Sequence, residues 1–153
     1  MAHFDRAIPP GGEGRITLTV KTKGYQGRIS KSARVYTNDP HNTLLRIHLK
    51  GYVKVPVLVF PRYVQFVGKS DQVISKKVEV RSELDKPLEL TPAFSNLEGK
   101  VSYQIQEIEA GRKFHILLKT IPGQHSSYRG FLRLKTNYPE KPEIFLQVRG
   151  RFK

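Results

Sequence analysis

The sequence predicts an all-β chain of two tandem sandwich-like units, the first present only as its C-terminal half. Three observations carry that expectation. Apolar residues recur in short runs that alternate with polar ones, the period-2 signature of half-buried strands. Clusters of Gly, Pro, Asn and Asp punctuate those runs. A block of residues near the start returns in the same order near the end, and a repeat of this kind sets the domain plan.

Taken in order, Pro9-Pro10-Gly11-Gly12 reads as a turn ahead of a first strand over residues 15–22. In that strand Ile16, Leu18 and Val20 alternate with Arg15, Thr17, Thr19 and Lys21. Tyr25-Gln26-Gly27 follows, then Thr37-Asn38-Asp39-Pro40. The latter is turn chemistry, because Asn tolerates a left-handed backbone and Pro cannot join a central ladder. Leu45, Ile47 and Leu49 then alternate with Arg46, His48 and Lys50 as far as Gly51.

The second unit has more chain in front of the same pattern. Residues 57–60, 63–67, 75–81 and 101–108 read as strands, separated by Asp85-Lys86-Pro87 and Ser95-Asn96-Leu97-Glu98-Gly99. Lys113 to Thr120 then matches Arg15 to Thr22, and Tyr128-Arg129-Gly130 matches Tyr25-Gln26-Gly27. Thr136-Asn137-Tyr138-Pro139 matches the first Thr-Asn-x-Pro turn. The Thr-to-Gly spacing, Thr37 to Gly51 and Thr136 to Gly150, is 14 residues in both copies. No amphipathic helical period is visible.

About seven strands in about 100 residues is the size of an immunoglobulin-like sandwich. Residues 55–153 are therefore expected to form a complete immunoglobulin-like β-sandwich, and residues 1–54 the C-terminal half of another. An open half leaves unpaired strand edges and an uncovered apolar face. The second domain, another copy of the chain or an upstream segment would fill the gap. Strand addition at such an edge is an established way to hold a partner. A protein partner, or self-association through the first unit, is the expectation.

The chain has no cysteine, which excludes disulfides, thiolate metal sites and cysteine nucleophiles. No apolar run approaches the roughly 20 residues of a membrane-spanning helix. Residues 1–6 lack the apolar core of a signal peptide. The 27 Lys and Arg outnumber 13 Asp and Glu, for a net charge of +14. A surplus of that size serves solubility, or an acidic partner such as nucleic acid or an acidic glycan.

Catalytic patterns are sparse. The five histidines, His3, His41, His48, His115 and His125, lack helical spacing or a neighbouring ligand, and His48 and His115 fall on the polar phase of strands, facing solvent. Glu107 and Glu109 share a strand face, and Glu79 and Glu83 lie near a strand end, without burial to split their pKa values. Gly11-Gly12-Glu13-Gly14 lacks the helix a phosphate loop needs. Ser126-Ser127 beside His125 is adjacency, not a dyad. The chain is expected to be noncatalytic, with no cofactor and no metal.

The basic residues are the one constellation with functional content. Arg15, Lys21, Arg34, Arg46 and Lys50 fall on the polar phase of the first copy, and Lys119, Arg133, Lys135, Arg149 and Arg151 on that of the second. They form one candidate stripe per unit, for which Arg34, Arg46, Lys50, Arg133, Lys135, Arg149 and Arg151 are the candidate partner-binding residues. Phosphate contacts from such stripes give salt-sensitive, sequence-independent binding. Outward Tyr36, Phe131 and Phe145 would add apolar contact. The plainer reading is a solvated face whose cations also discourage edge pairing.

Ile8-Pro9-Pro10-Gly11-Gly12-Glu13-Gly14, Lys21 to Gly24, Thr37-Asn38-Asp39-Pro40 and Leu49-Lys50-Gly51-Tyr52-Val53 together resemble a bacterial domain-of-unknown-function family with immunoglobulin-like domains. Hydin-like and abnormal-spindle-like domains, relatives of major sperm protein, are similar at this level. The resemblance covers about a third of the chain. The second copy departs from it, with Tyr138 in place of the Asp and Arg151-Phe152 in place of the usual ending. The resemblance implies a noncatalytic structural or protein-interaction module of a larger, exported bacterial protein. The alternative is a polyanion-binding module that uses the outer-face Arg and Lys.

Overall fold

In a computed structural model, which describes residues 2–123 and 127–153, the chain is all-β, as the alternation predicts. Its strands are β1 (Ala2–Phe4), β2 (Ile16–Leu18), β3 (Gly27–Tyr36), β4 (Leu44–Val53), β5 (Val57–Phe60), β6 (Tyr63–Gly68), β7 (Ser75–Ser82), β8 (Leu90–Ser95), β9 (Val101–Glu109), β10 (Lys113–Thr120), β11 (Tyr128–Thr136) and β12 (Glu143–Phe152). They divide into two compact units, Met1–Val53 and Lys54–Lys153. No helix among the described residues is long and apolar enough to cross a membrane.

The second unit is a sandwich of two four-stranded sheets, ordered β5-β7-β10-β9 and β6-β12-β11-β8. Alternation puts Val78, Val80, Phe114, Ile116 and Leu118 on the inner face of one sheet. Val64, Phe66, Leu132, Leu134, Ile144, Leu146 and Val148 line the inner face of the other. All of these are buried, and two inner faces interdigitating in this way make the core. Pairing is antiparallel except for β6, which lies parallel to β12.

β8 was not legible as a strand, because Pro92 sits in its middle. The structure places it at the sheet edge, opposite Leu134 and next to a register shift. Proline is tolerated there because no ladder hydrogen bond needs its missing N–H.

The first unit holds a two-stranded β1-β2 sheet and the β3-β4 hairpin. Every buried apolar residue of the described chain lies between Val57 and Val148, so this unit contributes none. Odd-numbered positions of the hairpin (Ile29, Ala33, Val35, Leu45, Ile47, Leu49, Val53) share one face, half-covered at best. In the second unit the counterparts of β2, β3 and β4 are β10, β11 and β12, and β7, β8 and β6 fill their second edges. Among the described residues nothing equivalent borders β2, β3 or β4. β2 is accordingly three residues long, against the eight of β10, since its ladder has one partner instead of two.

The Thr-Asn-x-Pro turns are built alike. Thr37 Oγ1 donates to the Asn42 carbonyl at 2.6 Å and accepts from the Asp39 N–H at 3.2 Å. Thr136 Oγ1 donates to the Lys141 carbonyl at 2.5 Å and accepts from the Tyr138 N–H at 3.1 Å. A hydroxyl bonding its own neighbouring backbone in this way fixes the loop. Asn does not supply the left-handed backbone expected of it, because every positive φ among the described residues belongs to glycine. Asn137 instead bridges to the loop before β8, donating to the Pro87 carbonyl at 3.0 Å and accepting from the Glu89 N–H at 3.0 Å.

One anchor of the repeat is displaced. Superposing the hairpins on their turns puts Arg34 on Arg133, Val35 on Leu134 and Lys50 on Arg149, but Ile29, not Tyr25, on Tyr128. Tyr128 is a buried core residue. Tyr25 lies before β3, exposed, with Lys31 Nζ donating to its hydroxyl at 3.0 Å. The two Tyr-x-Gly motifs are therefore a coincidence of composition.

Candidate interaction surfaces

In the first hairpin, Arg34 stands directly opposite Arg46, and Lys50 opposite Ser30, all on the outward face with Arg28, Tyr36 and Tyr52. Like charges facing each other across a ladder destabilise it. None of these cations has a carboxylate within salt-bridge distance among the described residues.

In the second unit the outward side chains of the β6-β12-β11-β8 sheet fall in rows across the strands. One row runs Phe94, Arg133, Phe145 and the next Phe131, Gln147, Tyr63. Then come Arg129, Arg149, Gln65, and last Arg151 with Val67. Phe94, Phe145 and Tyr63 are 48%, 51% and 43% exposed. Ring centroids lie 5.6 Å apart for Phe94–Phe131 and 4.6 Å for Phe131–Phe145, so the aromatic rows form one continuous strip. A shallow open depression between Arg129, Arg149, Tyr63, Phe131 and Phe145 joins the strip to the arginine row.

The cations on this face differ in their pairing. Arg133 meets Glu143 at 3.7 Å and lies 5.9 Å over the Phe94 ring, and Lys135 faces Glu143 across the ladder. Arg129 and Arg149 oppose each other with no acidic partner among the described residues, and Arg151 likewise has none. Sequence reasoning missed Arg129, having assigned it to a repeat anchor. The inward phase of Leu132 and Leu134, continued back to Tyr128, places it outward. Lys119, which the alternation grouped with this stripe, lies on β10 in the opposite sheet. Arg15 and Lys21 lie on either side of β2, outside the hairpin.

The opposite sheet carries a compact charge cluster. Glu79 meets Arg81 at 2.7 Å, Lys113 at 3.5 Å and His115 Nε2 at 3.7 Å. His115 is not the solvent-facing residue its phase suggested. Its side chain is 18% exposed, because β10 is an inner strand flanked by β7 and β9. Burial alone would raise the Glu79 pKa, yet the Arg81 hydrogen bond and the charges of Lys113 and Arg81 outweigh it and hold the carboxyl below its usual 4.5. A depressed carboxyl contributes stability above its unfolded pKa and loses it as pH falls through the folded value. Glu79→Gln is thus expected to lower Tm slightly at neutral pH and to leave it unchanged well below pH 4.5, as a half-exposed ion pair contributes only about 0–1 kcal/mol. Thermal melts across that range read the difference.

Among the described residues no three His, Asp or Glu converge at metal-binding distances. Glu107, paired by sequence with Glu109, is engaged in its turn, accepting from the Gly111 N–H at 2.6 Å. Gln124, His125 and Ser126 lie outside the described residues.

No family model and no curated protein matches the chain. Among solved structures, a protein of unknown function from Porphyromonas gingivalis W83 superposes with a TM-score of 0.51 at 11% identity, over 90% of this chain and 71% of its own. That likeness shows the fold alone. A Bacteroides ovatus GH5 xyloglucanase in complex with a XXXG heptasaccharide aligns over 63% of this chain and 19% of its own at 12% identity. Its TM-score of 0.39 carries no argument.

Proposed function

We propose that the chain is a noncatalytic interaction module of a larger, exported bacterial protein, engaging partners through the outer faces and open edges of its Thr-Asn-x-Pro hairpins. The observation that carries this reading is that the two hairpins, superposed on their turns, each present a cation outward at two equivalent positions, Arg34 with Arg133 and Lys50 with Arg149. The resemblance to the hydin-like bacterial domain family supports the module, its noncatalytic character and its export. The edges of β2, β3 and β4 that pair with no strand among the described residues support strand addition by a protein partner, or self-association.

A second reading, a polyanion-binding module, is favoured by the uncompensated Arg34–Arg46 and Arg129–Arg149 pairs. Cation pairs that weaken their own ladder are explained if an anion bridges them. Size-exclusion chromatography with light scattering, at low and high salt and with heparin, separates the two readings. A salt-reversible shift with heparin, abolished by Arg46→Glu, Lys50→Glu, Arg149→Glu and Arg151→Glu together, establishes polyanion binding. A species that ignores heparin at both salts leaves the protein-interaction reading and makes the charge a solubility feature.

A further inference from the structure

The outer face of the β6-β12-β11-β8 sheet separates its charge from its apolar surface. The uncompensated Arg129–Arg149 row stands two residues along the strands from the Phe131–Tyr63 row. At the rise of a β-strand that is roughly 7 Å. Beyond lies the Phe94–Phe145 row, where Arg133 is already occupied by Glu143 and Phe94. The face is thus a cationic band bordering an aromatic band in which Phe94, Phe145 and Tyr63 are exposed and Phe131 is half-buried against Phe145.

From this arrangement we infer that the face binds a single-stranded polynucleotide, phosphates on Arg129 and Arg149 and bases against Tyr63, Phe131, Phe145 and Phe94. The inference rests on the polyanion reading above and names its ligand. A single strand has the complementary layout, since its charges run along one side and its π faces project from the other, one sugar apart. An acidic glycan carries its charges on the same rings that would have to stack. An acidic peptide would satisfy the arginines and leave the aromatic strip unexplained. A duplex hides its base faces from a flat sheet. Exposed aromatic surface beside uncompensated arginines is the combination single-strand binders use, with stacking that tolerates any base.

The test is fluorescence anisotropy of the whole chain with a labelled oligothymidylate of about 12 nucleotides, at about 50 and 200 mM salt. The same sequence as a duplex, and heparin, serve as competitors. The single strand is expected to bind at least about tenfold more tightly than the duplex. Phe145→Ala should weaken it about tenfold with only a small fall in melting temperature, since that ring is half exposed and its main loss is the stack on Phe131. Tyr63→Ala, on the neighbouring strand, repeats the reading if Phe145→Ala melts early. Arg149→Glu should reduce the salt slope by about one phosphate contact, ~0.7 on a log–log plot, while Lys119→Glu on the opposite sheet should leave it unchanged. Salt-sensitive binding of heparin and oligonucleotide alike, indifferent to Phe145→Ala and Tyr63→Ala, overturns the polynucleotide assignment and leaves the polyanion reading intact. Absence of salt-sensitive binding to either overturns both.

Discussion

Tyr138→Ala is expected to destabilise the second unit by about 3–5 kcal/mol, the cost of removing a large buried aromatic, and to lower its Tm by on the order of 15 °C. Tyr138 is fully buried. Its hydroxyl donates to the Lys86 carbonyl and shares a hydrogen bond with Ser82 Oγ at 2.7 Å. The Lys86 ammonium lies 4.9 Å over the ring and also meets Glu140 at 3.3 Å. One side chain from the turn between β11 and β12 thereby ties down the segment that follows β7. Tyr138→Phe keeps the ring and strands its partners, so about 1–2 kcal/mol should be lost. Differential scanning calorimetry of both variants separates the packing from the hydrogen bonds. A fall of only a few degrees for Tyr138→Ala would show that the turn is not pinned this way.

The second large effect is an asymmetry between equivalent glycines. A methyl at Gly150 would overlap the rings of Tyr128 and Phe152, which stack with centroids 5.8 Å apart. At Gly51 the same methyl would rest 3.7 Å from Ile29 Cγ1, an ordinary contact. Gly150→Ala should cost about 1–3 kcal/mol by overpacking. Gly51→Ala should be neutral or slightly favourable, because glycine weakens a strand interior. Tyr128→Leu ought to recover part of the Gly150→Ala loss, and a double-mutant cycle measures that coupling. Equal effects at the two glycines would refute the superposition that places Ile29 on Tyr128.

Much of this architecture was legible because alternation reports directly which face is buried. Val57 to Phe60 and Lys113 to Thr120 were bounded from sequence as the structure has them. The Thr-Asn-x-Pro spacing located both hairpins, because a turn held by its own hydroxyl needs no distant contact. What failed depended on tertiary neighbours. Pro92 hid β8, as edge position cannot be seen from one strand alone. Tyr25 passed for Tyr128 because local composition does not encode hairpin register. For the surface, the phase of Arg34, Arg46, Lys50, Arg133, Lys135, Arg149 and Arg151 was correct. The distinction that matters, Arg133 and Lys135 beside Glu143 against Arg149 opposite Arg129, required cross-strand pairing.

The turn residue that differs between the copies also bears on how the chain assembles itself. Tandem repeats invite exchange of equivalent strands while folding, and among the described residues no equivalents of β6, β7 and β8 border β2, β3 or β4. Those strands present Ser82 and the Lys86 carbonyl to a tyrosine. The first hairpin offers Asp39, whose carboxylate closes on its own turn through the His41 N–H at 2.9 Å and the Asn42 amide at 3.0 Å. Docked on the wrong hairpin, β5 to β8 would find a charge where they need an aromatic ring, and Ile29 where Tyr128 belongs. At these two positions only the second hairpin offers those strands a buried tyrosine, Tyr138 and Tyr128.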